Sequence, residues 1–263
     1  MFIDTHCHLD FSVFDQHRKS ILTACEKKSI TKIVIPGVCA RDWQRILELC
    51  QQFKTLYPAL GLHPCFLSEH QQSDLQELDK ICATQDILAI GEIGLDYYKG
   101  KNNHLPDKSK QQWYFSEQLK IAKKYQLPVL IHARRSHNDV LEELKNIQPL
   151  SGIMHAYSGS YEQAQEYLKL GFKLGFGGAY TYPKATKLRS LVARLPLYAW
   201  VLETDAPDMS PIKHYGQTNS PEYLPEIAQE FIKVYDEGDH PTLNTQQIIS
   251  QLYNNSCEVL VLT

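Results

Sequence analysis

The chain alternates short apolar runs with longer amphipathic stretches. The apolar runs are of strand length, and eight of them predict β-strands at residues 2–4, 32–35, 57–62, 87–90, 129–131, 152–154, 172–175 and 200–202. The stretches between them follow the helical period and predict helices at 16–28, 42–53, 72–82, 107–125, 138–145, 162–170 and 184–195. Two further helices are expected after the last strand, near 223–234 and 245–253.

Eight strands alternating with helices, and no linker-like run between them, favour one (β/α)8 barrel over two domains. We therefore expect residues 1–263 to form a single TIM-barrel domain of the α/β class. A doubly wound open sheet is the structural alternative. Its dinucleotide-binding form is disfavoured because no G-x-G-x-x-G run follows an early strand.

Composition restricts the classes of function. The 263 residues include 27 Lys and Arg against 30 Asp and Glu, so the net charge of −3 gives no general attraction to nucleic acid or membranes. A polyanion would need a local positive site. No apolar stretch approaches the roughly 18 residues of a membrane span, and no signal peptide is expected. Seven cysteines without a C-x-x-C pair predict reduced thiols and a cytoplasmic protein.

Side chains that bind metals follow the predicted strands. Barrel enzymes place their chemistry at the carboxyl ends of the strands, and six candidates lie at such ends: His6, His8, Glu92, His132, His155 and Asp205. Six ligands exceed the three typical of one catalytic zinc. They therefore suggest two divalent cations bridged by a carboxylate, for which Glu92 is the best candidate. Mg, Mn and Zn remain open as the metal.

Each candidate alone also fits an ordinary structural role. An H-x-H pair such as His6 and His8 is a weak signal, and a histidine at a strand end is often only hydrogen-bonded. Glu92 could be a buried ion-pair partner, and Asp205 could begin a turn. What favours the metal site is the convergence of all six on one face of the barrel.

Several motifs together resemble the TatD-related metal-dependent hydrolases: D-T-H-C-H-L-D at 4–10, G-L-H-P at 61–64, G-E-I-G-L-D-Y-Y at 91–98, P-V-L-I-H-A-R at 128–134, H-A-Y-S-G-S at 155–160 and L-E-T-D-A-P at 202–207. The runs at 177–185 and 205–209 resemble the YjjV branch in particular. The resemblance implies a TIM barrel of the metallo-dependent hydrolase superfamily and Mg-dependent deoxyribonuclease activity, often from the 3′ end. It also implies that one ion binds His6, His8, Glu92 and Asp205, and that the other binds Glu92, His132 and His155.

The sequence departs from the family pattern in three places. Cys65 replaces the second histidine of G-x-H-P-H, and Ala156-Tyr157 replaces the Cys-Phe that follows the histidine in many relatives. The loop at 217–221 lacks the arginine of the R-N-x-P motif. Glu92 takes the place where small-molecule amidohydrolases of the superfamily often use a carboxylated lysine, which favours the TatD-like branch.

The expected mechanism uses Glu92 and Asp205 as catalytic residues, with Asp205 accepting a proton from the attacking water or orienting it. For substrate binding, Arg134 would contact a phosphate, and a barrel ion pair is its structural alternative. His63 would contact a phosphate or the leaving group, or serve as a hydrogen-bonded loop residue. Tyr97, like its neighbour Tyr98, would stack on a base or pack the loop.

The sequence thus predicts a divalent-metal-dependent hydrolase, with a deoxyribonuclease as the leading hypothesis. Its partner would be DNA or a small phosphoester; neither a membrane nor an obligate protein partner is expected, and a monomer is compatible with the sequence. Two alternatives stay open. One is a hydrolase of a small ester, amide or phosphoester at the same metal site, and the other is a non-catalytic metal-binding protein.

Overall fold

The computed structural model describes residues 1–99 and 107–262. Its centre is an eight-stranded parallel sheet in which the strand order follows the chain from β1 to β8. The strands are β1 Phe2–Asp4, β2 Ile30–Pro36, β3 Leu56–Leu60, β4 Ala89–Asp96, β5 Val129–Arg134, β6 Gly152–Met154, β7 Phe172–Phe176 and β8 Trp200–Leu202. The predicted TIM barrel is confirmed.

The ends of the sheet meet where β1 approaches β8. The amide of Thr5 donates to the carbonyl oxygen of Leu202 at 3.1 Å. The buried carboxylate of Asp4 accepts from the Thr204 amide at 2.9 Å and from the Thr204 hydroxyl at 2.6 Å. These bonds hold the chain after β1 against the chain after β8, so residues from both segments can share one site.

Helices surround the barrel: α1 Arg18–Lys27, α2 Ala40–Gln52, α3 Gln72–Thr84, α4 Lys108–Tyr125, α5 His137–Ile147, α6 Tyr161–Lys169, α7 Thr186–Val192, α8 Leu224–Asp236 and α9 Thr245–Leu260. The prediction for α9 ended too early, at residue 253. Val259 and Leu260, in its last turn, are buried with residues of the barrel interior, which extends the packed part of this helix.

Two apolar clusters divide the inner and outer faces of the strands. The inner cluster takes one residue from each of six strands and meets the end of α9: Val34, Ala59, Ala89, Leu130, Ile153, Val201, Val259 and Leu260. A set drawn from strands all round a barrel can meet only in its interior. The alternate residues, such as Ile35, Ile131 and Leu202, belong to the larger cluster that packs against the helices.

Strand β4 is the main departure from the predicted elements. It was expected at 87–90, with Glu92 following it, but the strand runs through Asp96 and contains Glu92. The pairing of β4 with β5 shifts register between Ile90 and Ile93. Strand β5 is also longer than predicted, and His132 lies within it.

No helix within residues 1–99 and 107–262 is long and apolar enough to cross a membrane. All seven cysteines are free thiols, as predicted.

Candidate metal centre

The carboxyl ends of the strands bring the six predicted metal ligands together. His6 and His8 follow β1, Glu92 and His132 lie on β4 and β5, and His155 and Asp205 follow β6 and β8. All except His6 line a cavity of about 540 Å³, which His63 also lines. His6 lies beneath it and is 1% exposed.

Glu92 is at the centre of this arrangement, with its two carboxylate oxygens facing different histidines. Oε2 lies 3.2 Å from Nε2 of His6 and 3.8 Å from Nε2 of His8. Oε1 lies 3.2 Å from Nε2 of His63 and 3.1 Å from Nδ1 of His132. Burial opposes ionisation of Glu92, but its electrostatic interactions with His63 and His6 and a hydrogen bond from His132 hold its pKa well below the usual range. The carboxylate is therefore ionised near neutral pH.

Asp205 supplies the second carboxylate of the cavity. Its Oδ1 lies 3.8 Å from Nε2 of His6, 3.6 Å from Nε2 of His8 and 3.6 Å from Nε2 of His155. The φ of Asp205 is 59°, a left-handed conformation that non-glycine residues rarely adopt and that is frequent at functional sites. Burial opposes its ionisation, yet the neighbouring His155 lowers its pKa below the ordinary value.

Two carboxylates that the sequence analysis did not single out support the histidines. Glu203 is fully buried, and its Oε2 lies 3.1 Å from Nδ1 of His155, while its Oε1 accepts from the Ala156 amide at 2.7 Å. Asp96 Oδ2 lies 3.2 Å from Nε2 of His132. The sequence could have indicated both residues, because metal-binding histidines usually hydrogen-bond to a carboxylate and the motifs L-E-T-D and G-L-D-Y-Y each contain an acidic residue close to a predicted ligand.

These partners determine the protonation of the two histidines. Burial lowers the pKa of His155, but the charges of Glu203 and Asp205 outweigh it and raise that pKa well above 6.5. Burial likewise opposes protonation of His132, while Asp96 and Glu92 raise its pKa to about 9. In metal-free protein both imidazoles therefore favour the protonated form, and their positive charges compensate those of the buried carboxylates.

The donor set fits divalent cations. Nδ1 and Nε2 of His6 and Nδ1 of His8 are buried without a hydrogen-bond partner, which is costly unless a ligand satisfies them. Donor atoms lie within 4.8 Å of one another in three groups: His6, His8 and Asp205; His6, His155 and Glu203; and His63, Cys65 and His132. Imidazole and carboxylate ligands of this kind suit Zn, Mn and related ions.

The contacts divide the second predicted ligand set. His155 stacks on His6, with ring centroids 3.5 Å apart, and faces Asp205. His132 instead lies beside Glu92 and His63. The rings of His132 and His63 meet edge to face, with their centroids 4.5 Å apart. Glu92 therefore has His132 on the Oε1 side, while His155 adjoins the group that includes His6 and Asp205.

The hydrogen bonds of His63 define its role. Its Nδ1 accepts from the Cys65 amide at 3.1 Å, so in the neutral ring the proton is on Nε2. Burial lowers the pKa of His63 and keeps the ring neutral. Nε2 therefore donates to Oε1 of Glu92, 3.2 Å away. His63 is arranged as a hydrogen-bond donor to the cavity rather than as a metal ligand through Nε2.

The two remaining residues predicted to contact substrate, Arg134 and Tyr97, take different positions. Arg134 lines the metal cavity, its side chain is 53% exposed, and its guanidinium lies 3.7 Å from the ring centroid of Tyr98. The guanidinium of Arg134 is also 4.0 Å from the carboxylate of Asp96. This contact is the ion pair with a barrel carboxylate that the sequence analysis gave as the alternative to phosphate binding. Tyr97 is buried, and its hydroxyl donates to Asp139 at 2.8 Å, so it packs the loop and lines a neighbouring cavity.

Comparison with known proteins places this chain in a family. A family model described as TatD related DNase matches residues 3–260. A protein of Escherichia coli K12, described as the uncharacterized metal-dependent hydrolase YjjV, is 42% identical over 258 residues, which cover 97% of this chain and 96% of the relative. Another, the uncharacterized metal-dependent hydrolase YabD of Bacillus subtilis, is 31% identical over 89% of this chain and 91% of its own length.

Solved structures agree with the sequence relatives. The crystal structure of the TatD homologue YjjV from Escherichia coli matches with a TM-score of 0.90 and 37% identity, covering 98% of this chain and 97% of that one. The phosphotriesterase homology protein of Escherichia coli matches with a TM-score of 0.67 at 14% identity over 98% of both chains, which shows the shared fold alone. The resemblance inferred from the motifs is confirmed.

Proposed function

Since the chain belongs to the TatD-related DNase family of metal-dependent hydrolases, we propose that it is a deoxyribonuclease that hydrolyses phosphodiester bonds at a site for two divalent cations. The observation that supports this most directly is the position of Glu92. One carboxylate oxygen faces His6 and His8, and the other faces His132. A carboxylate shared in this way is the expected bridge of a paired site.

His6, His8, Glu92 and Asp205 would hold one cation, and Glu92 and His132 would contribute to the other. The family resemblance assigns His155 to this second set as well, although its contacts here are with His6 and Asp205. When bound, divalent cations supply Lewis acidity toward a phosphoryl oxygen and lower the pKa of water.

Asp205 is the general base in this proposal. Its lowered pKa keeps the carboxylate ionised, and its place in the cavity lets it accept a proton from the attacking water. The neutral ring of His63 donates through Nε2, which faces Glu92. If Glu92 held the cations, this N–H would be free to donate to a phosphoryl or leaving-group oxygen. Arg134 at the rim offers a cation to the substrate phosphate.

The proposal is tested with a 3′-labelled single-stranded DNA and metal-stripped protein, to which Mg, Mn or Zn is added back. We expect cleavage only with metal, and we expect H132A to lose it. A matched control is the exposed-lysine variant K120Q, because Lys120 pairs only with Glu117 on the surface of α4 in the described contacts. Absence of DNA cleavage with every metal, in a folded protein that binds metal, would contradict the nuclease assignment.

A small phosphoester is the second candidate substrate, and Asn219 gives the reason. In the loop that lacks the family arginine, Asn219 is fully buried and donates to the carbonyl oxygens of Thr204 and Asp208, both at 2.7 Å. That residue supports the loop after β8 and offers no charge to a DNA backbone. Preferential hydrolysis of bis(p-nitrophenyl) phosphate over DNA would favour this candidate.

A further inference from the structure

A second cavity, of about 500 Å³, adjoins the metal cavity. The two share Arg134 and Ser158, so a substrate that fills one can extend into the other. We call the second one the cationic cavity because, besides Arg134, Lys108, Arg135 and Lys187 line it. Ligand sites in proteins commonly have this size.

The positive charge of the cationic cavity is only partly offset. Asp139 is the acidic residue among its described lining residues. Its Oδ2 already accepts from the Tyr97 hydroxyl at 2.8 Å and from the Gln112 side chain at 3.1 Å. Arg134 also lies 4.0 Å from Asp96 outside the lining, so two carboxylates offset four cationic side chains, in a protein whose overall charge is negative. A local positive site of this kind is what a polyanion would require.

The backbone at the start of α5 adds donors to the same cavity. Ser136 precedes α5 and lines the cavity, but its hydroxyl donates to the carbonyl oxygen of Leu95 at 2.6 Å and does not cap the helix. The start of α6, by contrast, is capped by the side chain of Ser160. An uncapped helix start presents amide donors and a positive dipole end, which favour an anion.

The two arginines are held where the cavities join. The guanidinium carbons of Arg134 and Arg135 lie 3.7 Å and 5.0 Å from the ring centroid of Tyr98. Arg135 has a φ of 57°, a left-handed conformation that is costly for a residue with a side chain. Tyr98 is 37% exposed beside these two cations, and the neighbouring Tyr97 lines the cationic cavity itself.

We propose that the cationic cavity binds the phosphate next to the scissile one in a single-stranded polynucleotide whose scissile phosphate lies in the metal cavity. This inference rests on the proposed nuclease function and specifies its substrate as a strand with at least two phosphates. Single-strand binding proteins use such a combination of cations and aromatic rings. The site would discriminate an oligonucleotide from a small phosphoester that ends within the metal cavity.

The test is equilibrium binding of a fluorescein-labelled (dT)4 with phosphorothioate linkages, which resist hydrolysis, measured by anisotropy with Mg present. The double variant R135Q/K187Q removes two cations of the cationic cavity, and neither residue belongs to the metal centre. We expect its affinity to fall about four- to ninefold, from a factor of roughly two to three for each of the two exposed charges. The slope of log affinity against log salt should become shallower by up to about 0.7, the value for one phosphate contact of a single strand.

Two controls separate this proposal from the proposed function. K120Q removes a surface cation elsewhere and should bind the probe like the wild type, and R135Q/K187Q should hydrolyse bis(p-nitrophenyl) phosphate at the wild-type rate. Unchanged affinity and slope in R135Q/K187Q, or no binding of the probe by the wild type, would overturn the proposal even if DNA is cleaved. Weakened binding in the double variant would support it even if the wild type fails to cleave DNA, in which case only the nuclease assignment would fall.

Discussion

Glu203→Gln is the substitution whose outcome the structure defines best. Glu203 is fully buried behind His155, and no described contact joins it to the open cavity. Its Oε1 accepts from the Ala156 amide, and its Oε2 faces Nδ1 of His155. Glutamine has the same shape and can keep the first bond through its carbonyl oxygen. Its amide nitrogen would then face Nδ1, so His155 would have to place its proton on Nε2, the atom that faces Asp205.

The expected cost follows from that exchange of donors. A hydrogen bond to a charged group contributes about 1.5–3 kcal/mol, and loss of a carboxylate behind a metal-binding histidine typically costs about 10- to 100-fold in metal affinity. We therefore expect E203Q to bind Mn or Zn about 10- to 100-fold more weakly than the wild type. The metal-free fold should persist because the side-chain volume and the bond to Ala156 are retained.

Metal affinity is measured by competition with a chromophoric chelator, and the fold is followed by circular dichroism and thermal unfolding. E258Q is the matched control, because the side chain of Glu258 is 71% exposed and pairs with Lys173. The control should bind metal like the wild type. Wild-type affinity in a folded E203Q protein would refute the view that Glu203 orients His155.

Three further predictions follow from the same contacts. D205N should lose roughly 10²- to 10⁴-fold in turnover, the usual contribution of a general base, with its metal-free melting temperature little changed; near-normal turnover would remove Asp205 from the mechanism. In metal-free protein the pKa of His132 is raised to about 9, so its stabilising charge is present below about 6.5 and is lost as pH rises through 9; thermal unfolding should show this fall, and H132Q should flatten it. A Cβ at Gly175 would collide with the carboxylate of Glu203, so G175A should destabilise by about 1–3 kcal/mol in denaturant titrations and weaken metal binding. In G216A no atom lies within 4 Å of the new Cβ but φ is 79°, so this variant should lose some stability through its backbone and leave metal binding unchanged.

Much of the site follows from the alternation of side chains along β-strands. In β8 and its extension, Val201 faces the barrel interior, and Glu203 and Asp205 follow at spacings of two. Residues at that spacing share a face of an extended chain, and this run ends at Asp205, whose backbone is left-handed. The motif could therefore have indicated Glu203 as well as Asp205, because both are carboxylates above an inward-facing valine.

The same rule accounts for three histidines. His63 lies four residues after Ala59, while His132 and His155 lie two residues after Leu130 and Ile153, and those three apolar residues belong to the interior cluster. A period of two therefore projects each histidine above the packed interior, at the carboxyl end of its strand. What alternation could not provide was the tautomer of His63, because that depends on the amide of Cys65 after the strand has ended.

Glu92 shows where reasoning from periodicity fails. Ala89 belongs to the interior cluster, and strict alternation from it would place residues 91 and 93 inside the barrel. Ile93 instead packs in the outer cluster, and the register of β4 against β5 shifts between Ile90 and Ile93. This irregularity moves the inward face by one residue, so that Glu92 points to the histidines of β1 and β5. The carboxylate between His6 and His132 thus owes its position to a break in the pattern. Glu92 could be named from the sequence because the predicted β4 is shorter and ends just before this residue, whereas strict alternation along the actual strand would have turned its side chain outward.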